Sequence, residues 1–302
     1  MNRRDFLKIS GKLAAIMGLS KAFVPQIAVA LDEIATGQKP VLWLQGQSCS
    51  GCSVSFLNSE SPDPAQILTQ YISLKFHSVL STATGKVAQD AVNETINEGN
   101  YFLVVEGSVP EGMPQACLFG GEYFGDQLQR AAQNCIAVVS AGTCAAFGGI
   151  PAAEGNSTGS TSVQSYLQAQ NIRTTLINIP GCPTHPDWVV STLAYTIAFG
   201  IPDLNNKDAP KMFFDKLVHD MCPRFAEYER QNFANSFGEP GCLFHLGCQG
   251  PITRADCTLR KWNGGNTHCI NSGGPCIGCS SEHFSLKRDF PFYTKDTKDW
   301  TI

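Results

Sequence analysis

No run of about twenty apolar residues occurs beyond the first thirty positions, which excludes a membrane-spanning helix there. Positive charge is scarce: 22 Lys and Arg stand against 26 Asp and Glu. The first thirty residues hold five of those basic residues and one of the acidic ones. Residues 31–302 therefore keep 17 basic against 25 acidic, a formal charge of −8, which argues against a nucleic-acid partner. An even number of cysteines is also lacking. Thirteen are present, so internal disulfides cannot pair them all. At about 4% of the chain they fall well short of a disulfide scaffold. Internal repeats and low-complexity tracts are absent. What is there is a 302-residue chain, 43% hydrophobic, sufficient for one large domain or two unequal ones with a proper core.

Residues 1–30 read as an export leader standing outside the fold. Arg3-Arg4-Asp5-Phe6-Leu7-Lys8 has the twin-arginine pattern, and a weakly apolar stretch follows from Ile9 to Val24. Ala28-Val29-Ala30 supplies small residues around a cleavage point, which places the mature start near Leu31. The twin-arginine route carries proteins that are already folded. It points to a periplasmic protein that receives a cofactor before export.

From Val41 to about Gly200, short apolar runs alternate with longer stretches of helical periodicity. The predicted strands are Val41–Leu44, Phe102–Val105, Ile136–Ser140 and Leu176–Ile179, apolar almost throughout, as strands covered on both faces are. Helices are predicted after Ser61-Pro62-Asp63-Pro64 (carrying Ile67, Leu68, Tyr71 and Ile72), over Lys86–Glu98, over Tyr123–Gln133 and over Asp187–Phe199. This alternation implies an α/β fold with a doubly wound parallel sheet.

Three of the strands run through a glycine turn into cysteine: Cys49 and Cys52 after the first, Cys144 after the third, Cys182 after the fourth. In a parallel sheet the carboxyl ends of the strands share one edge, where ligands bind. Four thiols delivered there form one four-cysteine site, and the neighbouring glycines let backbone amides approach the sulfurs. Glu106 and Ser108 reach the same edge. Glu106 either tunes the site or relays protons or, the reading favoured on sequence, is an ordinary hydrogen-bonded loop residue. Glu154–Ser162 reads as a polar surface loop.

After Ile201 strand signals fade and cysteine density rises. Met212–Asn235 reads as a helix broken near Pro223, with His219 and Cys222 on one face. Cys242, Cys248, Cys257, Cys269, Cys276 and Cys279 follow. The region has few apolar residues for a core of its own, and metal clusters would serve as internal staples. Three chemistries compete for these thiols. Disulfides suit an exported protein. Zinc suits Cys-x-x-Cys pairs, although zinc sites draw on two close pairs. Iron–sulfur clusters suit single cysteines from distant strand ends, glycine and proline surroundings and a mixed His/Cys set.

The motifs Cys49-Ser50-Gly51-Cys52, Gly142-Thr143-Cys144, Pro180-Gly181-Cys182-Pro183 with His185-Pro186-Asp187-Trp188, His219-x-x-Cys222, Gly241-Cys242 with Gly247-Cys248, and Pro275-Cys276-Ile277-Gly278-Cys279 carry a family resemblance. The chain resembles the small, iron–sulfur subunit of periplasmic nickel–iron hydrogenases, from the leader to Pro291-Phe292-Tyr293. The resemblance implies a flavodoxin-like domain over residues 31–200 and a smaller, irregular cluster-binding domain over 201–302. It implies a proximal 4Fe-4S cluster on Cys49, Cys52, Cys144 and Cys182, a distal 4Fe-4S cluster on His219, Cys222, Cys242 and Cys248, and a medial cluster on Cys257, Cys276 and Cys279. The nickel–iron centre would belong to a separate large subunit. Electrons from hydrogen would leave through the three clusters to cytochrome c or a membrane cytochrome, the latter associating the enzyme with the membrane.

Two departures are informative. Many relatives have a 3Fe-4S medial cluster and a proline seven residues before the ligand matching Cys276. Cys269 stands there in this chain, and as a fourth thiolate it would complete a 4Fe-4S cluster, as in nickel–iron–selenium relatives. Oxygen-tolerant relatives carry two extra cysteines near the proximal cluster, and the matching positions here are Gly51 and Gly149. The expectation is a standard proximal cluster and inhibition by oxygen. Cys117 and Cys135 lie outside every motif, and Cys135 is expected to begin a strand in the core. The other functional classes are an electron-transfer subunit of another oxidoreductase, such as the complex I relative of this fold, and a disulfide-containing periplasmic binding protein.

Overall fold

The computed structural model describes residues 3–35, 39–59, 63 and 73–284, with the backbone alone at 3–6, 34 and 35. The helix expected after Ser61-Pro62 and the segment Pro291-Phe292-Tyr293 lie outside the described residues.

Five parallel strands build the central sheet: β1 (Pro40–Gln45), β2 (Ser73–His77), β3 (Phe102–Glu106), β4 (Ala137–Ala141) and β5 (Leu176–Ile179). Their spatial order is β2-β1-β3-β4-β5, with every pair parallel. This is the flavodoxin-like doubly wound order, which places a ligand crevice where the winding reverses, between β1 and β3. Strand alternation divides the side chains into two buried layers. Val41, Trp43, Phe102, Val104, Val139, Ile177 and Ile179 belong to one, and Leu42, Leu44, Leu103, Val105 and Val138 to the other. The sequence pattern missed β2, an edge strand whose Ser73-Leu74-Lys75 is only partly covered and so shows no apolar run.

The second layer is closed by α4 (Gly85–Glu98) and α5 (Phe124–Asn134). In α4, Ala88, Val92 and Ile96 stack at four-residue spacing into the core. Gly99 ends it with φ +67, a conformation open to glycine, and returns its amide to Thr95. The first layer is closed by α8 (Pro186–Phe199), which opens on a proline and buries nine residues, among them Trp188, Val189, Leu193 and Ala194.

The segment read as a leader forms α1 (Arg3–Ile16) and most of α2 (Val24–Ala35), which pack on α8 with Leu13, Ile27 and Leu31 buried in the same core. Apolar residues that are not handed to a membrane bury against the nearest apolar face, and here that face is α8. The cleavage point expected after Ala30 falls inside α2. One expectation is corrected: Met212–Asn235 do not form a broken helix. Only α9 (Lys211–Phe214) and α10 (Phe225–Glu229) are helical, and residues 219–222 make a tight turn. The amides of Val218 and His219 go to the carbonyls of Thr253 and Gly250, at 2.8 and 3.1 Å, so a distant loop takes the donors that a helix would use.

Beyond Gly200 the described chain is short helices, 3-10 turns and loops, including α11 (Cys257–Arg260). It closes no core of its own. Phe213, Phe214, Val218, Leu243, Leu246, Ala255 and Ile270 join the cluster that also contains α8 and the sheet face. Residues 154–159 are turns and loop, as expected, but Ser160–Thr161 pairs antiparallel with Val109–Pro110 and holds the segment on the body. Ser160 and Ser162 are buried, and Ser162 caps α7 (Val163–Ala169) by accepting the Ser165 amide at 3.1 Å.

Candidate metal centres

Strand register delivers the first site. Gln45, Glu106, Ala141 and Ile179 are aligned across β1, β3, β4 and β5, so the turns that follow begin at one level of the sheet. Cys52 lies in the first turn of α3 (Gly51–Leu57), Cys144 in α6 (Thr143–Phe147), and Cys182 in a turn closed by a cis bond to Pro183. The charges of Cys144 and Cys182 act on Cys52, and Cys144 and Cys182 both respond to Cys49, so the four thiols share one neighbourhood. Glycine makes the room: a Cβ on Gly142 would lie 2.4 Å from the Cys52 sulfur, and one on Gly149 2.8 Å from the Cys144 sulfur. Burial, followed by mutual repulsion, pushes Cys182 up to about 12. Burial also raises Cys144 and, with the Glu106 charge added, Cys52. Thiols gathered and held protonated in this way suit a cationic metal core, which reverses the balance by drawing off the protons.

Glu106 is the functional residue that sequence reading undervalued. It is the last residue of β3 and 1% exposed. Its carboxylate accepts the amides of Cys52 and Ser53 at 3.0 and 3.3 Å, the Gln45 amide nitrogen at 2.9 Å, the Trp43 indole at 3.3 Å and the Ser53 hydroxyl. It therefore caps α3 and fixes the Cys52 loop, in place of the ordinary loop role expected. His77 completes the chain. Its Nδ1 accepts the Val79 amide at 3.0 Å, which leaves Nε2–H to donate to Ser53 Oγ at 3.1 Å. Burial lowers His77 to about 4 against the pull of Glu106, so its imidazole is neutral. His77 ends the edge strand that the sequence pattern missed. Its one sequence signal is a histidine closing a short run, too weak to single out.

Cys257, Cys269, Cys276 and Cys279 line a second cavity, with about 440 Å³ of atom-free space, walled by Trp188, Trp262 and Ile270. Burial raises all four thiols, and Cys279 reaches about 11. His268 also lines this cavity. It is 5% exposed, and neither ring nitrogen has a hydrogen-bond partner. A buried imidazole left without partners is costly, so the cavity fits a group that brings acceptors of its own.

His219, Cys222, Cys242 and Cys248 line a third cavity, with about 320 Å³ of atom-free space. Amides point at the sulfurs: those of Arg224 at Cys222, at 3.4 Å, of Phe244 at Cys242, and of Gly250 at Cys248. Gly241, with φ +104, lets the backbone at 232–234 pack beside Cys242, since a Cβ there would meet the Ala234 nitrogen at 2.9 Å. Burial lowers His219, keeping the neutral form that ligates metal. Its half-buried ring packs edge-on to Phe225 and Tyr228.

All twelve sequence-predicted donors thus fall into three groups of four, and all thirteen cysteines are free thiols. Among the described residues no three such donors converge closely enough for a single ion. The eight donors after Gly200 stand instead around cavity walls, as the wider thiolate spacing of a multi-iron cluster requires. Cys135 does not begin a strand. It ends α5, partly buried, with its sulfur on the Ala132 carbonyl. Cys117 packs against the α4–α5 side of the core.

Residues 49–196 match the family of the NADH ubiquinone oxidoreductase 20 Kd subunit, the complex I relative of this fold. Residues 214–293 match the family of the C-terminal region of the NiFe/NiFeSe hydrogenase small subunit. The chain is 38% identical to the periplasmic [NiFeSe] hydrogenase small subunit of Desulfomicrobium baculatum over 98% of its own length and 99% of the relative's. This chain is a nickel–iron hydrogenase small subunit. It is also 36% identical to the hydrogenase-2 small chain of Escherichia coli K12, over 93% of this chain and 77% of that one. The solved [NiFeSe] hydrogenase of Desulfovibrio vulgaris Hildenborough superposes with a TM-score of 0.80 at 40% identity, covering 86% of this chain and 99% of that one. The small subunit is the electron-transfer partner of a large hydrogenase subunit. The hydrogen-activating site lies on that large subunit, and the family implies iron–sulfur clusters in this one. Among the described residues no helix is long and apolar enough to cross a membrane.

Proposed function

We propose that the chain holds three clusters in a row. A proximal 4Fe-4S would sit on Cys49, Cys52, Cys144 and Cys182, a medial 4Fe-4S on Cys257, Cys269, Cys276 and Cys279, and a distal 4Fe-4S on His219, Cys222, Cys242 and Cys248. When bound, these supply one-electron carriers between the nickel–iron centre of the large subunit and an external acceptor. The single observation that supports this most is the sorting of twelve donors into three groups, two of them around cavities that they line. That Cys269 lines the cavity of Cys257, Cys276 and Cys279 favours four thiolates over a three-iron medial site. The protein's own part is to shield most of the sulfurs from water and aim amides at them, which sets the potentials.

His219 offers an imidazole edge at the outermost site, and the acceptor there is a cytochrome c or a membrane cytochrome. The Gly149 backbone, at φ +55 with Cys144 directly above it, leaves no room for an additional ligand. The enzyme is therefore of the oxygen-inhibited kind, and it reaches the periplasm folded, by the twin-arginine route.

Anaerobic purification of the heterodimer tests the reading. The expected result is a brown protein with about twelve irons on this subunit and no stoichiometric 3Fe-4S signal in the EPR spectrum of the oxidised state. A colourless chain overturns the cluster assignment, and a full 3Fe-4S signal overturns Cys269 as a ligand. His219→Gly should slow reduction of the acceptor by about tenfold or more while leaving hydrogen–deuterium exchange at the large subunit intact. Equal loss of both would contradict the role of His219.

A further inference from the structure

The junctions between neighbouring sites are built differently. Between the distal and medial groups the backbone suffices. The amide of Gln249, next to Cys248, donates to the Cys276 carbonyl at 2.7 Å, and the Cys276 amide points back at the Cys248 sulfur. These two reciprocal contacts tie a ligand of one group to a ligand of the next.

Between the proximal and medial groups only half of that pair exists. The Cys182 amide points at the Cys279 sulfur, but no amide of the Cys182 loop reaches the Cys279 carbonyl. That carbonyl is taken by a side chain: Thr143 Oγ1 donates to it. The same oxygen accepts the Gly181 amide at 2.9 Å, and the Thr143 amide donates to the Gly181 carbonyl at 2.9 Å. Thr143 is 1% exposed, precedes Cys144, and through Gly181 holds the residue before Cys182. One hydroxyl therefore joins the loops of two proximal ligands to the backbone of a medial one.

We propose that Thr143 is a positioning residue whose hydroxyl clamps the Cys144 and Cys182 loops to Cys279, and so sets the electronic contact between the proximal and medial clusters. The inference rests on the reading that Cys182 and Cys279 belong to different clusters. A hydroxyl is required because it donates and accepts at once. Valine has the same shape and can do neither. The medial–distal junction, which uses backbone alone, is indifferent to this position.

The test compares Thr143→Val and Thr143→Ser in the purified heterodimer. Thr143→Val is expected to keep its iron and its individual cluster signals. It should lose part of the spin–spin splitting between proximal and medial clusters in EPR of the reduced protein. Hydrogen-driven dye reduction should fall about tenfold, with hydrogen–deuterium exchange unchanged. Thr143→Ser should restore both the splitting and the rate. Wild-type splitting in Thr143→Val, or a serine variant as impaired as the valine one, overturns the proposal. Loss of iron from Thr143→Val alone would assign the hydroxyl to cluster retention and overturn it too. Failure of the cluster reading itself would show separately, as low iron in the unsubstituted protein.

Discussion

The sheet region and the region after Gly200 both present cysteine donors, and they position them by opposite means. Around the proximal site the donors hang from β1, β4 and β5, whose register and two-sided burial exist without any ligand. The medial and distal donors sit on turns, and α11, the helix that carries Cys257, is four residues long. Regular hydrogen bonding makes the first site a property of the fold. The second pair of sites depends on what its thiols hold, because loops with few apolar residues gain their stability from a bound metal.

The largest test of this contrast is to remove the iron. Chelation under reducing conditions, followed by hydrogen exchange, should strip amide protection from residues 211–279 while β1, β3, β4 and β5 stay protected. Equal opening of the sheet would remove the distinction.

Next in size is the joint between the regions. Arg260 of α11, its side chain 9% exposed, pairs with Asp256 at 2.5 Å and with Asp187 of α8 at 3.2 Å, over the Phe213 ring. Arg260→Ala strands two part-buried carboxylates and should cost about 3 kcal/mol, read as a lower denaturation midpoint. If the joint were incidental, the midpoint would not move.

Smaller still is a pH effect confined to the sheet region. His77 holds a folded value of about 4 against an ordinary 6.5. As pH falls through that window the unfolded chain takes up a proton that the folded chain refuses, so stability is complete above 6.5 and drains away towards 4. The loss reaches about 2 kcal/mol at pH 5. Thermal melts of the heterodimer at pH 7 and pH 5 should differ by less in His77→Gln than in the unsubstituted protein. An unchanged difference would exclude His77 as the source.

Four strands were legible because they are apolar on both faces, and their cysteines because each follows a glycine turn. β2 was not, since an edge strand shows its pattern on one side only. Glu106 was assigned to a loop because its function depends on Cys52, Gln45 and Trp43 arriving around it, and none of these is within fifty residues in sequence. The His219–Cys222 spacing is legible in the sequence, but the helix expected around it does not form, because tertiary bonds to Gly250 and Thr253 outbid local ones. The N-terminal helices repeat the point: their apolar character is local, but the face they cover is α8.

The sequence by itself determined four of the five sheet strands, the edge where ligands collect, and which thiols follow glycine turns there, because period, glycine turns and spacing are local properties. Tertiary structure alone decided which carboxylate holds the Cys52 loop, which histidine stands behind it, and where one hydroxyl spans two sites. Those choices depend on residues distant along the chain meeting in space, where burial makes each unmade hydrogen bond expensive.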